Sequence, residues 1–251
     1  MADVINVTGI ILSSMPVGES DRRIVILSKE LGKISAFAKG ARRVNSPLIG
    51  LTRPFIFGTF EVYRGRDSYS VYKISAKEYF EELVNDFDAV CYGYYFAEIA
   101  DYYSKENLDG KDIINLLYVT LKALIRKKIP SVLIRYIYEL KMIAINGECP
   151  DFFTCRKCKK ETNLEYFSLS HNGLYCSDCM QEARDKIYLN KDAVYTLQYI
   201  VTSPLNKLYS FTLNNETFIY LKQVVNRLES QCFDKNFKSK EMLFEENTLN
   251  N

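Results

Sequence analysis

Through the first eighty residues the apolar positions come in short, β-branched runs separated by turn residues. Val4 to Leu12 is the first run and gives way to Ser13-Ser14-Met15-Pro16-Val17-Gly18. Arg23 to Leu27 is the second, closed by Lys29-Glu30-Leu31-Gly32, and Lys33 to Lys39 is a third that stops at Gly40. A longer connection leads to Phe55 to Tyr63, where Gly58 marks a bulge or a sharp bend. The turn Arg64-Gly65-Arg66-Asp67 then opens a fifth run, Tyr69 to Ile74. Short strands in this order, with the long connection after the third, predict a small closed barrel of the OB-fold type.

From Ala76 onward the period lengthens to that of a helix. Glu78 to Tyr103, Lys111 to Lys127 and Val132 to Asn146 carry apolar residues at helical spacing, with Ile113, Leu116, Leu117, Thr120, Leu121 and Leu124 on one face. Pro130 separates the second and third of these helices, and Gly147 stops the third. Asp192 to Ser203 and Asn215 to Cys232 predict two more, the last burying Thr217, Leu221, Val224, Val225 and Leu228. The tyrosines at 92, 94, 95, 102 and 103 read as helix packing rather than a base-stacking platform. Asn236 to Asn251 is polar and mixed in charge, which predicts a frayed tail. The expected architecture is α+β: an OB-fold barrel over residues 1–78, then an all-α domain over 79–251 that is interrupted at about 149–185.

That interruption carries the strongest chemical signal. Cys155 and Cys158, then Cys176 and Cys179, form two CxxC pairs separated by the 17 residues Lys159 to Tyr175. This spacing is that of a four-thiolate zinc site, closed to water and therefore structural. The flanks Thr154-Cys155-Arg156-Lys157-Cys158-Lys159-Lys160 and Tyr175-Cys176-Ser177-Asp178-Cys179 are polar and turn-like, unlike the apolar approach to a redox CxxC. Arg156, Lys157, Lys159 and Lys160 would offset the charge of a zinc–thiolate cluster. His171 lies in the same loop and Cys149 precedes the first pair, so the residues alone leave a one-ligand exchange open.

Composition narrows the function. The net charge is only +2, yet residues 1–80 hold 12 Lys/Arg against 7 Asp/Glu, a balance of +5 that leaves −3 for the remainder. A basic N-terminal unit points to a polyanion. The stretch Ala36-Phe37-Ala38-Lys39-Gly40-Ala41-Arg42-Arg43 is the best binding candidate, because Gly40 lets the backbone turn close to a ligand and three cations share one connector. Arg53, Arg64 and Arg66 follow on the next strands and turn, interleaved with Phe37, Phe57, Phe60, Tyr63, Tyr69 and Tyr72. About half of these aromatics must fill the barrel, leaving the outward set to stack on bases. One histidine, no GxxxxGK[ST], no GxGxxG after the first strand and no HExxH leave no enzyme motif, so the chain reads as a binding protein. Seven cysteines without framework spacing, no signal peptide and no membrane-length apolar run lead to the expectation of a soluble, cytoplasmic protein.

The chain resembles the RecO family of DNA repair and recombination mediators. The resemblance is carried by Glu19-Ser20-Asp21-Arg22, Ala38-Lys39-Gly40-Ala41-Arg42-Arg43 with Ser46, and Arg53-Pro54-Phe55. It continues through Gly147, Pro150, Cys155-Arg156-Lys157-Cys158, Phe167-Ser168 and Gly173-Leu174-Tyr175-Cys176-Ser177-Asp178-Cys179, covering about residues 1 to 185. It implies an OB-fold, a helical domain and a zinc knuckle with Cys155, Cys158, Cys176 and Cys179 as ligands. It further implies binding of single- and double-stranded DNA with Lys39, Arg42 and Arg43 at the DNA-binding position. Strand annealing, and joining RecR to load RecA onto DNA coated by single-stranded-DNA-binding protein (SSB), follow without ATP hydrolysis, as does a nucleoid-associated location. A zinc-bearing protein-interaction adaptor and an RNA-binding OB/zinc-ribbon protein are the competing readings of the same residues.

Overall fold

The computed structural model describes residues 4–66 and 68–243. Five strands close the predicted barrel: β1 (Val4–Val17), β2 (Asp21–Ser28), β3 (Gly32–Ala38), β4 (Phe57–Arg64) and β5 (Tyr69–Glu78), in the order β1-β2-β3-β5-β4. All neighbouring pairs run antiparallel except β3 and β5, which meet in parallel at Ala36 with Tyr69 and Phe37 with Ser70. On β3 the alternation is strict: Ile34, Ala36 and Ala38 point inward, and Lys33, Ser35 and Phe37 do not. The interior is filled by Val7, Ile11, Ile24, Ile26, Phe60 and Val62 among others. Each such side chain contributes roughly 1.5–3 kcal/mol of burial.

The end of the first strand differs from the sequence expectation. β1 does not end at Leu12 but continues to Val17, with a register shift between Ile11 and Ser13. Beyond the shift the strand pairs only with β2, so Pro16 sits where its missing N–H costs little. Gly58 does mark an irregularity, since the register with β5 shifts between Phe57 and Gly58. A Cβ there would lie 2.2 Å from the Ser75 carbonyl oxygen, so β4 can approach β5 this closely only with glycine.

The predicted helix from Glu78 to Tyr103 is two helices. A single turn, α1 (Glu81–Val84), precedes α2 (Phe87–Tyr103), and the Asp86 carboxylate accepts from the Ala89 N–H to start the second. Of the tyrosines here, Tyr92 and Tyr95 are buried, and Tyr94 packs on Phe55 at 5.0 Å between ring centroids. α3 (Lys111–Arg126) buries the predicted face, Thr120 included. The tail expectation fails for residues 237–243: Phe237 is buried against Tyr95 and Tyr102, and Ser239 donates from N and Oγ to Glu98 at 3.1 and 2.6 Å. One aromatic anchor outweighs the polarity around it. Residues 244–251 of that expectation lie outside the described residues.

The chain divides into two compact units, the first of residues 1–121 with 237–243 and the second beginning at Lys122. In the second, α4 (Ser131–Ile145), α5 (Lys191–Thr202) and α6 (Asn215–Cys232) pack on one another. Asn190 and Asn214 cap α5 and α6 by accepting from Ala193 and Thr217 N–H, each at 2.8 Å. Between α4 and α5 the chain forms a sheet of β6 (Asp151–Cys155), β7 (Leu164–Ser168), β8 (Gly173–Cys176) and β9 (Lys186–Tyr188), in the order β6-β8-β7-β9. Its inner side, Phe152, Leu164, Phe167, Leu174 and Leu189, is buried. No helix among the described residues is long and apolar enough to cross a membrane.

Candidate nucleic-acid interface and metal centre

Strand register gathers the basic residues of the barrel. Arg22 pairs with Ala38, Ala36 with Tyr69, and Tyr69 with Arg64. The start of β2, the end of β3, the start of β5 and the end of β4 therefore share one lip. Lys39, Arg42 and Arg43 leave the lip from β3, and Arg64 and Arg66 enter the β4–β5 turn there. All five side chains are exposed. In barrels of this class the β2–β3 face and the loops β1–β2 and β4–β5 are the oligonucleotide surface. Arg53, also exposed, is carried by the connector toward β4, where Phe55 N–H meets the Ile11 carbonyl oxygen at 2.8 Å. The sequence grouped Arg53 with the others, whereas the fold seats it at the far end of the connector.

The basic loop is anchored from β2. The Asp21 carboxylate accepts from Gly40 N–H at 2.7 Å and from Ser20 Oγ at 3.1 Å. The Gly40 N–H bond is the main reason the Asp21 carboxyl is held below its usual range, with Arg43 and Lys39 adding to it. Arg42 N–H bonds the Ser20 carbonyl at 2.9 Å, and Arg42 Nη1 donates to the Gly18 carbonyl at 3.0 Å. Gly40 itself has φ +67, and Arg43 N–H closes the turn on its carbonyl at 3.0 Å. The loop is thus a fixed platform, its backbone N–H groups at Gly40, Ala41, Arg42 and Arg43 all bonded within the protein and its cationic side chains exposed. Asp21 and Gly40 meet through the β2–β3 pairing, so only the register shows this anchor.

A row of side chains crosses the outer face beside that lip. Arg23 is opposite Phe37, Phe37 opposite Ser70, and Ser70 opposite Tyr63. Tyr72 is 60% exposed and stands edge-on to Tyr63 at 5.6 Å. Phe60 and Tyr69 fill the interior, and Phe57 packs on Tyr118 at 5.0 Å. Of the six candidate aromatics, Phe37, Tyr63 and Tyr72 thus remain for stacking.

The four cysteines form the second candidate site. The Sγ atoms of Cys155, Cys158, Cys176 and Cys179 all lie within 4.8 Å of one another. A tetrahedron with metal–sulfur bonds of about 2.3 Å needs edges near 3.8 Å, so the set fits one zinc ion with small adjustment. The Cys158 and Cys176 sulfurs already stand 3.6 Å apart. The first pair sits on a tight turn: Lys159 N–H bonds the Cys155 carbonyl at 2.9 Å, and Cys155 N–H the Lys160 carbonyl at 2.7 Å. Lys159 takes the left-handed φ of +62 that this turn requires. Cys176 ends β8 and Cys179 lies in the 3₁₀ turn Ser177–Glu182; Cys155 and Cys176 are buried, Cys179 half-buried and Cys158 exposed.

Backbone donors prepare the site for thiolates. Burial alone would raise the Cys155 thiol, but N–H groups of Cys158, Cys176 and Lys157 converge on its sulfur and bring it down to about 6. Burial and the neighbouring sulfurs push Cys179 up to about 12, which is the cost of crowding thiols that a cation would relieve. Lys157 pairs with Glu182, and Lys160 with Asp178 at 2.9 Å, so two of the predicted neutralising lysines tie the first turn to the second. His171 is outside the cluster, with Nδ1 2.7 Å from the Tyr175 hydroxyl. Cys149 is outside it too, its thiol pushed up to about 12 by burial.

Comparison with known proteins finds relatives over most of the chain. The family model described as "Recombination protein O N terminal" matches residues 1–80, and "Recombination protein O C terminal" matches residues 84–241. The chain is 29% identical over 231 residues to DNA repair protein RecO of Acetivibrio thermocellus, covering 92% of each. It is 30% identical over 236 residues to DNA repair protein RecO of Caldicellulosiruptor saccharolyticus, covering 93% of this chain and 95% of that one. A third relative, DNA repair protein RecO of Clostridium perfringens, is 27% identical over 236 residues, covering 94% and 95%.

Proposed function

Since the chain belongs to the recombination protein O family, we propose that it is a DNA repair and recombination mediator whose barrel binds DNA without regard to sequence. Lys39, Arg42, Arg43, Arg64 and Arg66 neutralise phosphates along the lip, and Tyr63 and Tyr72 offer faces to bases. Neutralising two strands lowers their mutual repulsion while their pairing edges stay accessible. Annealing is then accelerated by electrostatics, with no bond made or broken in the protein. In this reading the protein works with RecR to place RecA on SSB-coated DNA. Zinc is its structural cofactor, held by Cys155, Cys158, Cys176 and Cys179, and it supplies a cross-link between two turns.

The observation that carries this reading is the convergence of five exposed cations on one lip of an OB-type barrel, beside outward aromatic rings. The test is binding of a fluorescent single-stranded DNA oligonucleotide across a salt series, with a strand-annealing assay in parallel. Engaging all five cations gives a slope of log K against log salt of roughly −3.5, at about 0.7 per phosphate. Lys39→Glu with Arg42→Glu flattens that slope and slows annealing. An unchanged slope removes the lip from the reading. Matched DNA and RNA oligonucleotides decide between the two nucleic acids, with DNA expected to bind tighter.

A further inference from the structure

A groove of about 600 Å³ runs between β9 and α6, wholly inside the second unit. β9 contributes Lys186 and Tyr188, and α6 contributes Tyr220, Gln223, Asn226 and Arg227. The α6 residues lie off the buried stripe of Thr217, Leu221, Val224, Val225 and Leu228. Tyr188 is 50% exposed and stands edge-on to Tyr220 at 6.1 Å and to Tyr166 at 5.8 Å. Lys186 Nζ lies over the Tyr166 ring at 5.8 Å and donates to the Met180 carbonyl at 3.2 Å, which fixes its charge at the groove edge. Among the described residues neither Lys186 nor Arg227 has a carboxylate partner, and no carboxylate lines the groove.

We propose that this groove is a second binding site for single-stranded nucleic acid, with bases against Tyr188 and Tyr220 and phosphates on Lys186 and Arg227. Several features select this occupant. Two cations flanking aromatic faces match the alternation of phosphate and planar base along a strand. An acidic peptide would satisfy the cations and leave the rings unused. Gln223 is exposed and offers both a donor and an acceptor to any base edge, which suits sequence-blind contact. The open, shallow form suits a strand passing across rather than an enclosed small molecule. The proposal rests on the reading that this protein binds single strands, and it gives each compact unit a strand-binding surface of its own.

The test uses the full-length protein and an oligothymidylate carrying 5-iodouracil, with photocross-links mapped by mass spectrometry and binding followed by fluorescence anisotropy. Cross-links are expected in two clusters, one between residues 18 and 72 and one on the peptides holding Tyr188 and Tyr220. Lys186→Glu with Arg227→Glu removes the second cluster and the weaker binding phase, and leaves the first. Tyr188→Ala weakens that phase roughly 5- to 150-fold, the range for losing one stacked base, while Tyr188→Phe preserves it. Unchanged far-ultraviolet circular dichroism and zinc content show that each variant is folded. Cross-links confined to the barrel, with binding indifferent to the charge reversal, overturn this proposal alone. No binding by the unaltered protein at low salt overturns it together with the function proposed above.

Discussion

Gly32→Ala tests the packing of the first unit at a point of close backbone approach. Gly32 sits in the β2–β3 turn at φ +64, and a Cβ there would lie 2.2 Å from the Lys105 carbonyl oxygen and 2.4 Å from that of Leu108. These are backbone atoms, so no rotamer change relieves the clash. Relief requires the 105–108 segment to withdraw, which breaks Lys33 N–H to Lys105 O (3.1 Å) and Asn107 N–H to Leu31 O (2.9 Å). Two backbone hydrogen bonds at about 1 kcal/mol each, plus about 1–2 kcal/mol for an L-residue held left-handed, give roughly 3–4 kcal/mol. Gly18→Ala is the internal control: its φ is +55, but nothing lies within 4 Å of the added atom, so only the conformational cost of about 1–2 kcal/mol remains. Urea unfolding followed by circular dichroism compares the two. Hydrogen exchange then locates the damage, with the Lys33 and Asn107 amides exchanging faster in Gly32→Ala alone. Equal destabilisation by the two substitutions would refute the close-approach argument, because only the strain they share would be operating.

Three further outcomes are expected. The purified protein holds one zinc per chain by elemental analysis; Cys155→Ser or Cys176→Ser abolishes it, Cys149→Ser does not, and loss from the last variant would mean that the ligand set is wrong. Arg135 donates from Nε to Glu139 at 2.8 Å with both side chains buried, and its Nη2 lies 3.8 Å from Glu229. Arg135→Met therefore leaves two carboxylates without that cation and lowers stability by about 3–5 kcal/mol, whereas a cost under about 1 kcal/mol in a denaturant series contradicts the pairing. Asp21 is depressed below 3.8, so the anchor on Gly40 is intact above that value and is lost as pH falls through the lowered one. The Gly40 amide proton shift in an NMR titration should have its midpoint below 3.8, and a midpoint at or above 3.8 would break the link.

The barrel and the helices were legible because each has one period along most of its length. β3 alternates without exception, and α6 spans the residues its apolar spacing marks. Reading failed where a second partner changes the pattern. Ile10, Ile11 and Leu12 are buried in succession because β1 is covered by the barrel on one side and packs against α2 on the other, and the polar run after them looked like an end. The Glu78–Tyr103 stretch hid a break because Phe80, buried at φ +51, is apolar like a helix residue. The four-cysteine cluster was legible from spacing alone, since a CxxC turn carries its geometry with it. The basic lip was legible only as a list of cations. Which of them share an edge depends on the pairings of Arg22 with Ala38 and Arg64 with Tyr69, and Arg53 lies on the connector outside both pairings. The β9–α6 groove was not legible at all, because its rings come from elements with no common period.

The two sites of the second unit are joined by its small sheet. Its strands have only three to five residues, and a sheet so short is marginal without outside support. Support comes from α5 and α6 beneath it and from the cysteines at its edge. Cys176 closes β8, β8 pairs with β7 through Phe167 and Leu174, and β7 pairs with β9 through Tyr166 and Tyr188. The ligand set and the groove residues Lys186 and Tyr188 are therefore successive links of one hydrogen-bonded ladder. Metal binding energy in such a segment is folding energy. A chelator that strips the metal should accordingly loosen β9 and weaken strand binding at the groove. The barrel lip is set by a register that includes none of these strands, so it should keep its affinity and its salt slope. A structural zinc site would in this way matter to nucleic-acid binding without touching the nucleic acid.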